Sequence, residues 1–263
     1  MACYKGNNRE KYLQMPIEEK RHLYACGGKF ILVKDVSPWT VYYERLKANG
    51  KVETNFPPPV KDCCATIKWV AREKYRSKIS LWRGDITYLE VDAVVNAANT
   101  SLMGGGGVDG AIHAGAGAEL QAECASLNGC EPGDAKMTGG YKLPARYIIH
   151  TVGPTNRKPE LLHACYENCL RIAKANGLRT IAFPCIATGV YGYPNEEACK
   201  IALETVRKWF DRGFTDYVDR IIFCVFLETD MKIYEKNIPF FFPKIPPSPP
   251  PSPPPTAAPA EAT

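Results

Sequence analysis

The chain has 263 residues, 45% of them hydrophobic and 23% charged, with a formal net charge of +5. That is enough for one domain of roughly 150 to 200 residues plus extensions, and no apolar run approaches the ~20 residues of a membrane span. Sixteen Lys and Arg stand against eight Asp and Glu in residues 1–80, so the basic excess lies there, interspersed with acids as on a solvated surface, with non-specific nucleic-acid affinity as the lesser alternative.

The first elements are short. Arg9 to Tyr24 reads as one or two helices, with Pro16 restarting the second at its first turn. The chain then loosens. Residues 47–62, with Asn49-Gly50 and Pro57 to Pro59, read as a linker, and Thr66 to Arg76 is predicted helical.

From Lys78 short apolar strands alternate with helices, the pattern of an α/β domain. Strands are predicted at Ile79–Arg83, Ala93–Ala98, Ala135–Gly139, Tyr147–Thr151, Thr180–Ile186 and Arg220–Phe226. Helices are predicted at Val108–Cys124, Pro159–Asn176, Asn195–Arg212 and Asp230–Lys236. Pro246 to Pro255 consists entirely of proline and serine, which favours extended or disordered chain. It reads as an inert tail or as a docking peptide for an SH3- or WW-type groove. The resulting division is 1–77 as a helical extension and linker, 78–243 as the domain, and 244–263 as the tail.

Eleven cysteines form neither a CxxC pair nor a zinc-ligand pattern, and Cys185 and Cys224 sit in apolar runs. A reduced protein of the cytoplasm or nucleus is expected, because the N-terminal residues carry neither the apolar core of a signal peptide nor an acid-free amphipathic leader.

The chemistry concentrates around Gly104 to Gly107. This run joins an Asn-rich strand to the helix opening Val108-Asp109-Gly110-Ala111-Ile112-His113. Glycine lets backbone amides approach a ligand closely, and a helix N-terminus attracts an anion. The turn has no Lys or Arg, so any phosphate it holds is held by amide dipoles. Gly105-x-Gly107-x-x-Gly110 matches the formal dinucleotide fingerprint, but five residues separate the strand from the glycines and no acidic residue ends the next strand. A Walker loop fails too, for lack of Gly-Lys-Ser/Thr.

Together with Gly84-Asp85-Ile86-Thr87, Asn96-Ala97-Ala98-Asn99, Ile149-His150-Thr151-Val152-Gly153-Pro154 and Ala187 to Gly192, these residues resemble the macrodomain family, and within it the MacroD-type mono-ADP-ribosyl hydrolases. The resemblance covers residues 78–240 densely, and Tyr12 to Arg21 is similar to that group's N-terminal extension. It implies a three-layer α/β/α sandwich on a mixed, mostly parallel sheet, with ADP-ribose in a cleft at the strand ends. No cofactor or metal is expected, and a monomer is.

Roles follow from the same resemblance. Asp85 and the Ile86 amide would address adenine, although Asp85 also fits a helix cap and Thr87-x-x-Glu90 a capping box. Gly104, Gly105, Gly106, Gly107 and Val108 would grip the diphosphate from one side, and Ala187, Thr188, Gly189, Val190, Tyr191 and Gly192 from the other; the bland alternative is two ordinary turns. Tyr191 would lie against the distal ribose and Phe226 against adenine, unless Phe226 is core. Asn96 joins the ligand contacts, and Asn99 would hold ribose hydroxyls, or merely form a turn.

Asp109 is the expected catalytic group, orienting or deprotonating a water with His113 one turn later on the same helix face and Asn99 beside them, and a substrate phosphate is the alternative base. An N-cap role for Asp109 and a structural role for His113 are the alternatives. The implied activity is removal of mono-ADP-ribose from acidic side chains, as in reversal of modification during the DNA damage response, and deacetylation of O-acetyl-ADP-ribose. A non-catalytic reader of ADP-ribosylated proteins is the competing reading. Departures from the family pattern are modest: His113-Ala114-Gly115-Ala116-Gly117, Gly139-Gly140, a short Gly153 to Leu161, and Ala187 where serine is typical.

Overall fold

The computed structural model describes residues 8–50 and 70–244. The predicted polyproline tail, Cys63 and Cys64, and most of the predicted linker lie outside them.

Two short helices, α1 (Asn8–Gln14) and α2 (Ile17–Arg21), open the described chain, with Pro16 at the N-cap of the second. They are followed by strand β1 (Ile31–Leu32) and helix α3 (Trp39–Ala48). The sequence reading left the region of α3 loose. Its signal is nevertheless present: Trp39, Tyr43 and Leu46 fall at i, i+4 and i+7, and all three are buried. Pro38 supplies a preset entry into the helix. The helix predicted over Thr66 to Arg76 is confined, among the described residues, to α4 (Glu73–Ser77).

The remaining strands are β2 (Ile79–Arg83), β3 (Leu89–Glu90), β4 (Ala93–Ala98), β5 (Ala135–Gly139), β6 (Tyr147–Val152), β7 (Thr180–Phe183) and β8 (Arg220–Val225). Strand β7 stops three residues before the predicted end because Pro184 cannot donate to the ladder. Six strands form one sheet in the order β2-β8-β7-β4-β6-β5, parallel except for β5, which runs antiparallel to β6. Strand β1 pairs with β3 in a separate two-stranded ladder.

Helices α5 (Gly107–Ala116), α6 (Ala118–Ser126), α7 (Pro159–Ala175), α8 (Asn195–Asp211) and α9 (Glu228–Phe241) complete the fold. The sequence suggested a single helix over Val108–Cys124. The structure breaks it at Gly117, whose φ of 92° no β-carbon-bearing residue adopts comfortably.

Strand alternation sorts the core onto two faces. Val95, Ile149, Ile181, Phe183 and Phe223 point to one side, together with α3, α7, α8 and α9. On α7 the buried set Leu162, Cys165, Tyr166, Cys169, Leu170 and Ala173 falls at i, i+3, i+4, i+7, i+8 and i+11, so each residue faces the sheet. Val94, Ile148, Ala182 and Ile222 point to the other side, beneath Ile112 and Ala116 of α5 and Leu120 and Cys124 of α6. This is a three-layer α/β/α sandwich with a mixed, mostly parallel sheet.

The N-terminal segment is fastened to this sandwich by polar contacts. Arg21 makes two hydrogen bonds to Glu90, at 2.9 and 2.8 Å, and Tyr24 adds a third. The predicted capping box is thereby corrected, since the Glu90 side chain is committed to Arg21 and Tyr24. Arg9 donates to Glu123 at 3.0 Å, and the same carboxylate accepts the Gly139 amide and the Tyr141 hydroxyl. Lys20 is buried with Nζ 3.1 Å from the Ala145 carbonyl, and desolvation lowers its pKa to about 8.

Candidate active site

Five of the six strands are parallel, so their C-terminal ends share one edge of the sheet. The loops that leave them meet there: Gly84 to Ile86 after β2, Asn99 to Gly106 after β4, Gly153 and Pro154 after β6, Ala187 to Gly192 after β7, and Phe226 after β8. The chain passes from β4 to β6 on one side and reaches β7 on the other. Such a reversal opens a crevice at the strand ends, where open α/β sheets bind their ligands.

The helix that follows β4 carries Asp109 in its first turn, 3% exposed. Its N-cap is Gly106, which has no side chain to bond the first-turn amides. The amides of Gly107, Val108 and Asp109 therefore have no intrahelical partner and carry the positive end of the helix dipole. The glycine loop lies directly over the carboxylate. A β-carbon on Gly105 would come within 3.1 Å of Asp109 Oδ2, and one on Gly110 within 2.4 Å of the Gly105 carbonyl oxygen. Only glycine at 110 lets the loop fold back this closely on the helix.

Beneath Asp109 the sheet is polar. Asn96, expected among the ligand contacts, is instead fully buried, and its Nδ2 donates to Asp109 Oδ1 at 2.7 Å and contacts His150 Nδ1 at 3.1 Å. Asn96 and His150 are register partners across β4 and β6, two residues beyond the pair Val94 and Ile148, so they share the face covered by α5 and α6. His150 Nε2 lies 2.8 Å from Thr138 Oγ1 on β5 and 3.8 Å from Cys124 Sγ.

His113 Nε2 sits 3.5 Å from Asp109 Oδ1 but forms no hydrogen bond there. Burial lowers its pKa against the opposing pull of Asp109, so near neutral pH the contact is that of a neutral imidazole, not a salt bridge. Burial, reinforced by His113, takes His150 down to about 3. His113, Cys124 and His150 bring ligand atoms within 4.8 Å of one another. The Cys124 thiol is pushed up to about 12 by burial, and His150 Nε2 faces Thr138, so this set is arranged for hydrogen bonding.

Asn99 adopts the turn-forming alternative. Its Oδ1 accepts from the amide and hydroxyl of Ser101, and its Nδ2 donates to the Gly104 carbonyl at 2.8 Å. Asp85 behaves as a cap: Oδ1 accepts from the amide of Thr87 at 2.9 Å and from its hydroxyl at 2.7 Å. Ile86 is buried beside it.

The second loop is a tight turn closed by Gly192 N–H to Gly189 O and Tyr193 N–H to Ala187 O, each 2.9 Å. Thr188 Oγ1 donates to the Cys185 carbonyl at 3.3 Å. Ala187 takes a φ of +66°, unusual for a residue with a side chain, and is buried. Val190 projects into solvent, 93% exposed, while Tyr191 leans on the apolar core. Phe226 is 74% exposed, so the core alternative fails and its ring is available to a ligand.

A cavity of about 300 Å³ lies beside His113, between Met103, Ala114, Ala118 and Gln121. A larger recess, about 830 Å³, is lined by Thr40, Glu44, Arg45, Glu73 and Lys244, none of them a candidate site residue. Sequence reasoning missed His150, Thr138 and Cys124 as members of the site. For His150 and Thr138 the signal was a polar residue at a position where strand alternation demands an apolar one, whereas Cys124, on α6, gave none.

The comparisons with known proteins agree with this geometry. The family model described as Macro domain matches residues 95–202. ADP-ribose glycohydrolase MACROD1 of mouse is 53% identical over 232 residues, covering 86% of this chain and 67% of that protein. Mouse ADP-ribose glycohydrolase MACROD2 is 48% identical over 241 residues, covering 89% of this chain and 48% of the other. The chain thus spans about half the length of the MACROD2 relatives it matches. The crystal structure of a Trypanosoma brucei macrodomain in complex with ADP superposes with a TM-score of 0.69 at 37% identity, covering 89% of this chain and 91% of that one. Fold, loop arrangement and these identities make the chain a member of the macrodomain family. Within that family its similarity is to the MacroD-type proteins.

Proposed function

We propose that this chain binds ADP-ribose and hydrolyses the ester that joins it to an acidic protein side chain, with O-acetyl-ADP-ribose as a small ester substrate of the same type. The observation that carries the reading is an uncapped helix N-terminus directly above a buried aspartate. The relatives named as ADP-ribose glycohydrolases, and a related Trypanosoma brucei macrodomain solved with ADP-ribose, support it.

The first-turn amides of α5 face the diphosphate from one side and the Ala187 to Gly192 turn from the other. A hydrogen bond to a charged group contributes about 1.5–3 kcal/mol, so three or four such amides offset the desolvation of the phosphates without a lysine. Phe226 and Asp85 lie at the adenine end and Tyr191 at the distal ribose. Asp109 orients water for attack on the ester, whose cleavage returns a free carboxyl group to the modified protein and releases ADP-ribose. Neutral His113, one turn along, borders the position of that water. No metal or cofactor enters this scheme.

The deciding experiment pairs calorimetry with a turnover assay on an auto-modified transferase. Wild type binds ADP-ribose and releases it from the transferase, whereas Asp109→Ala binds and releases nothing. Wild type that binds without release makes the protein a reader of ADP-ribosylated partners. An SH3- or WW-type partner for Pro246 to Pro255, and a cytoplasmic or nuclear site of action, are further parts of this proposal and rest on composition alone.

A further inference from the structure

We infer that His150 is a positioning residue that fixes Asp109 through Asn96, with His150 held as the Nε2–H tautomer by Thr138. The inference rests on the hydrolase reading above and deepens it, because it names what aims the reacting group.

The argument is one of donors and acceptors. Asn96 offers two amide hydrogens from Nδ2, one to Asp109 Oδ1 at 2.7 Å and one to His150 Nδ1 at 3.1 Å. The reversed amide would set its carbonyl oxygen against the Asp109 oxygen, so the orientation is determined by the partners. His150 Nδ1 must then be bare, and the imidazole hydrogen belongs to Nε2, where Thr138 Oγ1 accepts it at 2.8 Å. Thr138 in turn donates to the Gly139 carbonyl at 3.2 Å. Every hydrogen in the chain from Gly139 to Asp109 thus has one assignment.

Asn96, Thr138 and His150 are all fully buried, on a face otherwise made of Val94, Ile148, Cys124 and Leu120. An apolar trio at these positions would fit the surrounding core and leave no polar group to satisfy. Even Asn96 Oδ1 is buried without a partner among the described residues. A buried network that is kept despite such costs serves to specify one geometry. Burial also keeps His150 uncharged throughout the working pH range, so it supplies a constant acceptor and takes no part in proton transfer.

Three substitutions separate this role from simple packing. His150→Asn places an acceptor oxygen where Nδ1 was, His150→Gln restores only the donor toward Thr138, and His150→Leu restores neither. The positioning role predicts that kcat on an auto-modified transferase falls about 30-fold or more in His150→Leu and His150→Gln, about 2 kcal/mol at 25 °C. His150→Asn stays within about 5-fold, and the KM and the calorimetric Kd for ADP-ribose change less than about 3-fold throughout. Equal losses in all three variants, or losses confined to binding and melting temperature, would overturn it. Nitrogen-15 NMR of histidine-labelled wild type supplies a readout that needs no turnover: Nε2 protonated and Nδ1 bare for His150, unchanged between pH 5 and 8. A protonated Nδ1 rejects the positioning role outright. An inactive wild type with the expected tautomer rejects the hydrolase reading and leaves the geometry standing.

Discussion

The two faces of the central sheet are built to different rules. Under α7, α8 and α9 the sheet presents mostly aliphatic and aromatic side chains that match helices of 3.6 periodicity, and the buried polar groups Thr205, Arg207 and Asp230 are carried by the helices, not by the strands. Under α5 and α6 the same strands interrupt their apolar ladder with Asn96, His150 and Thr138, directly beneath Asp109. A sheet with one dry, close-packed side tolerates a polar seam on the other, and Asp109 stands where that seam meets the strand ends.

The sharpest way to break this comparison is Asp109→Ala. Release of ADP-ribose from a modified protein should fall about 10³-fold or more, as for loss of a group required in the transition state, while the calorimetric affinity for ADP-ribose changes less than about 5-fold. On the dry side, Trp39→Ala should cost about 3–5 kcal/mol in urea unfolding, because a fully buried indole leaves a cavity that α3 cannot close. Turnover per folded molecule should be unaffected, and a kinetic defect at permissive temperature would show that the two faces are coupled.

Gly110→Ala tests the loop. Its methyl group would meet the Gly105 carbonyl at 2.4 Å, so the loop must lift. ADP-ribose affinity should drop about 10- to 100-fold with little change in melting temperature.

The polar seam should also mark the pH dependence of stability. His150 has a folded pKa of about 3, below the ~6.5 of an unfolded histidine, so the unfolded chain binds the proton first. Its contribution is complete above about pH 6.5 and is lost progressively as the pH falls toward 3. Urea titrations from pH 7 to pH 4 should show wild type losing stability faster than His150→Leu, and parallel slopes would remove His150 from the explanation. The smallest effect is expected from chelation: EDTA should leave turnover unchanged within about 2-fold, and activity restored by a divalent ion would turn His113, Cys124 and His150 into metal ligands.

Much of the fold was readable because its signals are local. Strands β2, β4 and β5 begin and end where alternation and flanking turns put them, and α7 and α8 follow their apolar stripe to within a residue. Helix α3 is masked by neighbouring prolines and basic residues although Trp39, Tyr43 and Leu46 repeat correctly, and the helical pattern over Val108–Cys124 runs through Gly117, whose backbone ends one helix and begins another. In the site, the glycine run ahead of α5 is legible in the sequence itself, whereas the expected roles of Asp109, His113 and the second loop come from the family resemblance. The Asn96, His150 and Thr138 assembly is not legible there, because it exists only once β4 is set in register with the later β5–β6 pair.

Glu123 sits on α6 one residue from Cys124, and its only basic partner among the described residues, Arg9, comes from the opening helix. Shortening the protein to start at residue 78 would strand that acid inside the molecule with no counter-cation. The disturbance would arise next to the thiol that touches His150, and the same truncation would remove Trp39, Tyr43 and Leu46 from the opposite face, so both sides of the sheet lean on the segment that precedes it.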